Sequence, residues 1–324
     1  MILQCFMMAR FLTQLVPAFM LLSVAVYGQE GFNYQQTMIA NPALTGSAGN
    51  GMLRMSYMNH YPGNGYNLHS VFVSYDGFFP VLHGGAGFYV SDEYPGGIIT
   101  NIRGGFSYSY FLRASQDLYI NAGLSASLYH RGYNFSGTVL PDQIDPLLGA
   151  VYPSSEVLVA EGRTVFDLAT GFLFIYRNFS GGFSVRHLTR PDPSDQDDPG
   201  GSLGRTFLVH ASAEVNTSGK LRFFPVMTAE KGSNFFFAGA GVSARRENLS
   251  VNALVLTGDD RNIDLQTGFS FAAGNIRMFY SYRFNIFTGE TLMPFSLLHH
   301  TGLVFSLYNV DKRKLIKTIN FPDL

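Results

Sequence analysis

Four aspartates, Asp192, Asp195, Asp197 and Asp198, crowd the stretch RPDPSDQDDPGG (190–201). Oxygen ligands at this density suit a hard cation such as calcium. Pro191, Pro193 and Pro199 break the same stretch, and a solvated loop accounts for it more simply, so no metal is assigned. The eight histidines are scattered without zinc-ligand spacing. His299 and His300 are adjacent, and on a strand adjacent residues point to opposite faces, so they cannot share one metal. The chain has no G-x-S-x-G elbow, no H-E-x-x-H pair and no phosphate-binding glycine loop. The expectation is a non-enzyme with no catalytic residue and no cofactor.

A longer stretch is more suggestive. Residues 132–161 hold Asp142, Gln143, Ile144, Asp145, Pro146, Tyr152 and Pro153, with apolar Leu147, Leu148 and Val151 between them. Links longer than about 12–15 residues are usually functional or disordered. Apolar residues in a turn-rich link imply packing, either into a barrel mouth or onto a partner. His187 and Arg190, where FSVRHLTRPD runs into the acidic loop, join this candidate partner-binding set.

These links need a scaffold, and LYINAGLSASLYH (118–130) indicates its kind. Leu118, Ile120, Ala122, Leu124, Ala126 and Leu128 form one face; Tyr119, Asn121, Gly123, Ser125, Ser127 and Tyr129 form the other. That period of two is a β-strand's. In a soluble sandwich the apolar face would point inward; in an outer-membrane barrel it would face lipid and the polar set the lumen.

Composition favours the barrel. Charged residues are 14% and aromatics 15%, with 35 glycines and no tryptophan. A soluble domain carries about 25% charged residues. The net charge of −1 gives no basic footprint for nucleic acid. Arg10 precedes the apolar run FLTQLVPAFMLLSVAVYG, the plan of a secretory signal peptide over 1–28, with the cut expected after Gly28. A single anchor helix is the competing reading, disfavoured by Pro17 in mid-run. Cys5, the only cysteine, lies ahead of that run, so the exported part is expected to form no disulfide.

About fourteen strands are predicted, near 51–59, 67–79, 83–91, 98–113, 116–131, 162–177, 179–189, 203–216, 220–229, 233–246, 248–257, 261–273, 275–287 and 299–309. Six alternate links are short and would be periplasmic; most of the others are longer and would be external, apart from those near 230–232 and 258–260. Alternation of this kind belongs to an outer-membrane antiparallel β-barrel, here over 51–309. Phe235 and Phe237 alternate with Phe236 and Ala238, so some strands carry bulk on both faces and the lumen is expected to be partly filled.

Two flanking segments are too apolar to be plain spacers. Residues 29–50 carry Phe32, Tyr34, Met38 and Leu44 and are expected to plug the barrel or dock on a periplasmic partner. The tail at 310–324 pairs Lys312, Arg313, Lys314 and Lys317 with Leu315, Ile316, Ile319 and Phe321, and periplasmic docking is preferred over a solvated tail.

Several stretches together resemble the PorP/SprF family of the type IX secretion system. They are FNYQQTMIANPALTGSAG (32–49) with Asn41, Pro42, Ala43 and Gly46, then SYDGFFPVLHGGAGFYV (74–90) and DQIDPLLGAVYPSSE (142–156). FSVRHLTRPD (183–192), IRMFYSYRF (276–284) and HHTGLVFSLY (299–308) follow in order. Leu44 and Thr45 stand where the family commonly has Tyr and Ala. The resemblance implies an outer-membrane component of type IX secretion, in some bacteria linked to gliding motility. It also implies a role in binding, delivering or anchoring secreted proteins that bear a C-terminal targeting domain. Periplasmic lipoproteins of the same system and outer-membrane lipid are the further implied partners. A pore for small solutes, and a structural link between the outer membrane and periplasmic components, are the rival readings.

Overall fold

The computed structural model describes residues 35–60, 68–95, 99–135, 139, 141–145, 149–150, 162–194, 201–217, 220–259, 262–287 and 297–308. Fourteen antiparallel strands form one ring: β1 Gly51–His60, β2 Leu68–Phe79, β3 Gly84–Tyr94, β4 Ile99–Arg113, β5 Leu118–Tyr133, β6 Arg163–Tyr176 and β7 Phe179–Arg186. The second half is β8 Thr206–Ala213 with its continuation Val215–Asn216, β9 Leu221–Lys231, β10 Phe236–Arg246, β11 Leu249–Gly258, β12 Ile263–Ala273, β13 Ile276–Phe287 and β14 Leu298–Tyr308. Each strand pairs with its neighbours in sequence, and β1 pairs with β14 from Gly51↔Tyr308 to His60↔Leu298. The ring is closed, so no strand edge meets hydrocarbon with unpaired backbone groups.

The alternation at 118–130 resolves in favour of lipid outside. On β5, Leu124 and Leu128 are 54% and 57% exposed on the outer surface, whereas Asn121 and Ser125 are 2% and 3% exposed and face inward. The same division holds on β6, where Phe166, Phe172 and Phe174 point out and Asp167 points in. Tyr110, Tyr176, Phe179 and Phe271 are exposed near the short-turn end, where an aromatic girdle belongs.

The short links are 80–83, 114–117, 177–178, 217–220, 247–248 and 274–275. His83, Arg177 and Glu247 adopt φ of 50°, 52° and 54° in three of these reversals, and Gly274 adopts 60°. Short turns of this kind belong to the periplasmic end of outer-membrane barrels. At the other end β7 and β8 are shorter than the alternation predicts. His187 turns into the left-handed region at φ 55°, and hydrogen bonds with β6 take the chain out of the sheet. Further along, the β8–β9 ladder breaks between Ser212↔Val226 and Val215↔Phe223, opposite Pro225, which has no N–H to give.

Candidate functional site

Residues 37–47 lie inside the ring. A single helical turn, α1 Thr37–Ala40, leads through Asn41 into a 3-10 turn at Pro42–Leu44, and Thr45, Gly46 and Ser47 continue as a further turn. Asn41 starts the second turn. Its Oδ1 accepts from the Ala43 N–H at 3.0 Å, while Pro42 at the first position has no N–H and needs no acceptor. This segment is buried throughout: Thr37, Met38, Asn41, Ala43, Thr45 and Ser47 are all between 0 and 1% exposed.

The seat for this segment is a single row of register-matched residues across five strands. Gly85 on β3 pairs with Ser109 on β4, Ser109 with Gly123 on β5, Gly123 with Gly171 on β6, and Gly171 with Ser184 on β7. The segment lies along that row like a belt. Thr45 sits on Gly85, Pro42 and Ala43 on Gly123, and Asn41 on Gly171. A Cβ at Gly123 would stand 2.2 Å from the Ala43 nitrogen, and one at Gly171 would stand 2.1 Å from Asn41 Oδ1, so neither position admits a side chain. The serines between the glycines serve as donors. Ser109 Oγ donates to the Ala43 carbonyl at 3.1 Å and Ser184 Oγ to the Ala40 carbonyl at 2.6 Å.

Two polar contacts fix the ends of the belt. At one end the Gly46 N–H donates to Asp76 Oδ2 at 2.7 Å, and the other oxygen of that carboxylate pairs with Arg54. Arg54 and Asp76 are 5% and 1% exposed, so the ion pair is buried in the lumen wall. At the other end the Asn41 side chain bonds His210 Nε2 at 3.0 Å and donates to the Phe172 carbonyl at 3.2 Å. Thr45 and Ser107 share a hydroxyl contact at 2.7 Å between them. Met38 and Ile39 then cluster with Phe72 and Tyr89.

At the external end a second cluster holds the strap after β7. Asp167 on β6 accepts from His187 Nδ1 at 2.8 Å and from Thr189 Oγ1 at 3.2 Å. The Leu188 N–H donates to the Leu168 carbonyl, and Arg163 reaches the Ser194 carbonyl at 3.0 Å. Burial pushes the His187 imidazole below its ordinary pKa, with the nearby Arg103 acting in the same direction; the Asp167 carboxylate opposes both. Asp192 is held below the usual carboxylate range by the hydroxyl and N–H of Ser194. Arg190 stands exposed at φ 48°, its N–H given to the His187 carbonyl.

The residues singled out from the sequence therefore separate. Asn41 and Pro42 are in the belt, and His187 and Arg190 are in the strap. Asp142, Gln143, Ile144 and Asp145 belong to a small hairpin in which Ile144–Asp145 pairs with Gly149–Ala150, with Ile144 exposed. Tyr34, Pro146, Tyr152, Pro153, Leu315, Ile316 and Phe321 fall outside the described residues. Among the described residues no group of three or more His, Cys, Asp or Glu side chains is placed to hold a metal.

Sequence reasoning did not find Arg54, Asp76, Ser109, Gly123, Gly171, Ser184 or His210 as site residues. A signal existed for some of them. The stretches NPALTG (41–46), SYDG (74–77) and LHGG (82–85) are far apart in sequence, yet Gly46, Asp76 and Gly85 meet at one point.

Solved structures with this architecture are outer-membrane barrels. The TodX deltaS2S3 mutant, a monoaromatic hydrocarbon channel, aligns with a TM-score of 0.51 at 10% identity over 87% of this chain and 96% of its own. The toluene transporter TbuX of Ralstonia pickettii aligns with a TM-score of 0.51 at 11% identity over 84% and 93%. At such identities the likeness speaks for the fold alone. No curated protein sequence matches the chain. Residues 27–291 match a family described as type IX secretion system membrane protein PorP/SprF, which covers most of the chain and includes the belt, its seat and the strap. This outer-membrane barrel belongs to the PorP/SprF family of type IX secretion membrane proteins.

Proposed function

We propose that the chain is a binding component of type IX secretion, which holds or delivers exported proteins bearing a C-terminal targeting domain at the cell surface. One observation carries this reading: the chain's own residues 37–47 lie inside the ring, seated on a row whose glycines leave no room for a side chain. An open solute channel needs a free, wettable path, and a segment seated inside the ring counts against one. What the barrel offers instead is an external face built from long links, one of them tied down by Asp167, His187 and Thr189. The segment 141–145 with exposed Ile144, together with Arg190, supplies contact surface on that face. On this reading the periplasmic flank, including 310–324, meets other components of the secretion system.

Mass spectrometry of material co-purifying with the tagged protein from gently solubilised outer membranes tests the proposal. The expected result is a secreted protein with a C-terminal targeting domain, lost when 132–161 is shortened. Recovery of periplasmic lipoproteins alone would move the role to a structural link. A barrel recovered alone, with steady ion conductance in planar bilayers, would replace the binding reading with a solute pore.

A further inference from the structure

The belt is held differently from the strands around it. Among the described residues, the main-chain hydrogen bonds of 36–49 are all internal, such as Ala40 to Gln36, Leu44 to Asn41 and Thr45 to Pro42. None reaches a strand. The wall grips the belt's main chain through side chains instead: Ser184 on the Ala40 carbonyl, Ser109 and Asn121 on the Ala43 carbonyl, and Asp76 on the Gly46 N–H. The belt is therefore a guest in a groove, distinct from strand addition, in which main-chain ladders hold the guest.

The wall is also suited to losing its occupant. Asp76 keeps Arg54 as a partner whether or not Gly46 is there, so departure leaves no lone buried charge. The serines and Asn121 beneath the belt are groups that water satisfies as well as a carbonyl does. We propose that the row Gly85–Ser109–Gly123–Gly171–Ser184 is a peptide-binding groove. Residues 37–47 are its resident occupant, and it accepts in their place a polypeptide segment of another chain that carries Asn-Pro followed by a small residue. The main-chain contacts tolerate sequence, the complete burial of Ala43 against Leu173 and Ile175 demands a small residue after the proline, and the contacts of Asn41 with His210 and the Phe172 carbonyl demand the asparagine.

The test uses the full chain with residues 37–47 replaced by a Gly/Ser linker of equal length, folded in detergent and checked by heat-modifiable migration. The probe is a fluorescein-labelled synthetic peptide with the sequence of residues 36–47, and the readout is fluorescence anisotropy. Saturable binding is expected. It should weaken at least tenfold for a peptide with Asn41→Ala and disappear when the barrel also carries Gly123→Val. If the linker protein does not fold, the full chain with Asn41→Ala replaces it, and its weakened belt should yield to the unmodified peptide. Absence of saturable binding to a folded barrel up to millimolar peptide would overturn the proposal. So would equal binding of a scrambled peptide. Either failure leaves the passenger-binding reading standing, because co-purification is measured without added peptide.

Discussion

Two parts of the lumen wall solve the same problem in opposite ways. On β2–β7 the inward residues that hydrogen-bond the belt or lie flat beneath it are Asp76, Ser107, Ser109, Asn121, Ser184, Gly85, Gly123 and Gly171, small or polar, and the apolar Phe72, Tyr89, Leu173 and Ile175 pack against the belt's own side chains. On β9–β11 the inward residues Val226, Phe237, Leu254 and Leu256 pack on one another. The second wall fills its share of the lumen with its own side chains. The first leaves space and fills it with another segment of chain. Bulk that belongs to a strand is permanent, whereas bulk brought by a separate segment can be exchanged without rebuilding the sheet. The difference separates what holds the barrel together from what occupies it.

The largest effect that would break this contrast is at Asp76. Asp76→Ala leaves Arg54 buried without its partner, and breaking a buried pair costs about 3–5 kcal/mol. Urea unfolding in lipid vesicles should show that loss, and replacing Arg54 by Met as well should recover most of it. A single substitution with no measurable cost would mean that the belt's end is not held by this pair. Next in size is Leu254→Ala on the apolar wall, with an expected cost of about 2–4 kcal/mol from the vacated volume. Alkylation of a cysteine placed at Ser47 should stay as slow as in the parent. Rapid labelling would show that the two walls are coupled, and the contrast would fail.

The smallest effect concerns the strap. The folded state holds the His187 pKa below the ordinary 6.5, so it binds fewer protons there than the unfolded chain does. The contribution of neutral His187 is full above about pH 6.5 and falls as pH drops through the lowered value. Proteolysis within 190–202 should therefore accelerate in mildly acidic buffer, and His187→Gln should flatten that dependence. Identical pH profiles for the two proteins would remove His187 as the fastening.

The ring of strands was legible in the sequence because lipid outside and a largely polar lumen on β2–β7 impose a period of two, cleanest at 118–130 and weaker where β9–β11 carry apolar residues on both faces. The alternation at 118–130 needed only its wet side assigned. The sequence pattern extends the strand from Phe179 to residue 189 because His187 is compatible with it, whereas the strand ends at Arg186. Its departure depends on Asp167, twenty residues earlier in the chain and next to it only after folding. The site was half legible. Asn41 and Pro42 announce a turn start by residue type alone. The small-residue row does not, because Gly85, Ser109, Gly123, Gly171 and Ser184 come from five strands and become neighbours only through register. A lone glycine in a strand reads as a weak point, and five register-matched small residues read as a groove only once pairing is known.

The belt also bears on the order of assembly. It precedes β1 in the chain, and its hydrogen-bonding partners on the wall, from Asp76 to His210, lie on β2–β8. None of them waits for β9–β14. The first half of the ring can therefore curl around this segment as around a mandrel before β14 arrives to meet β1. Curvature is then settled early, and closing the ring is left to the one seam between β1 and β14, from Gly51 opposite Tyr308 to His60 opposite Leu298.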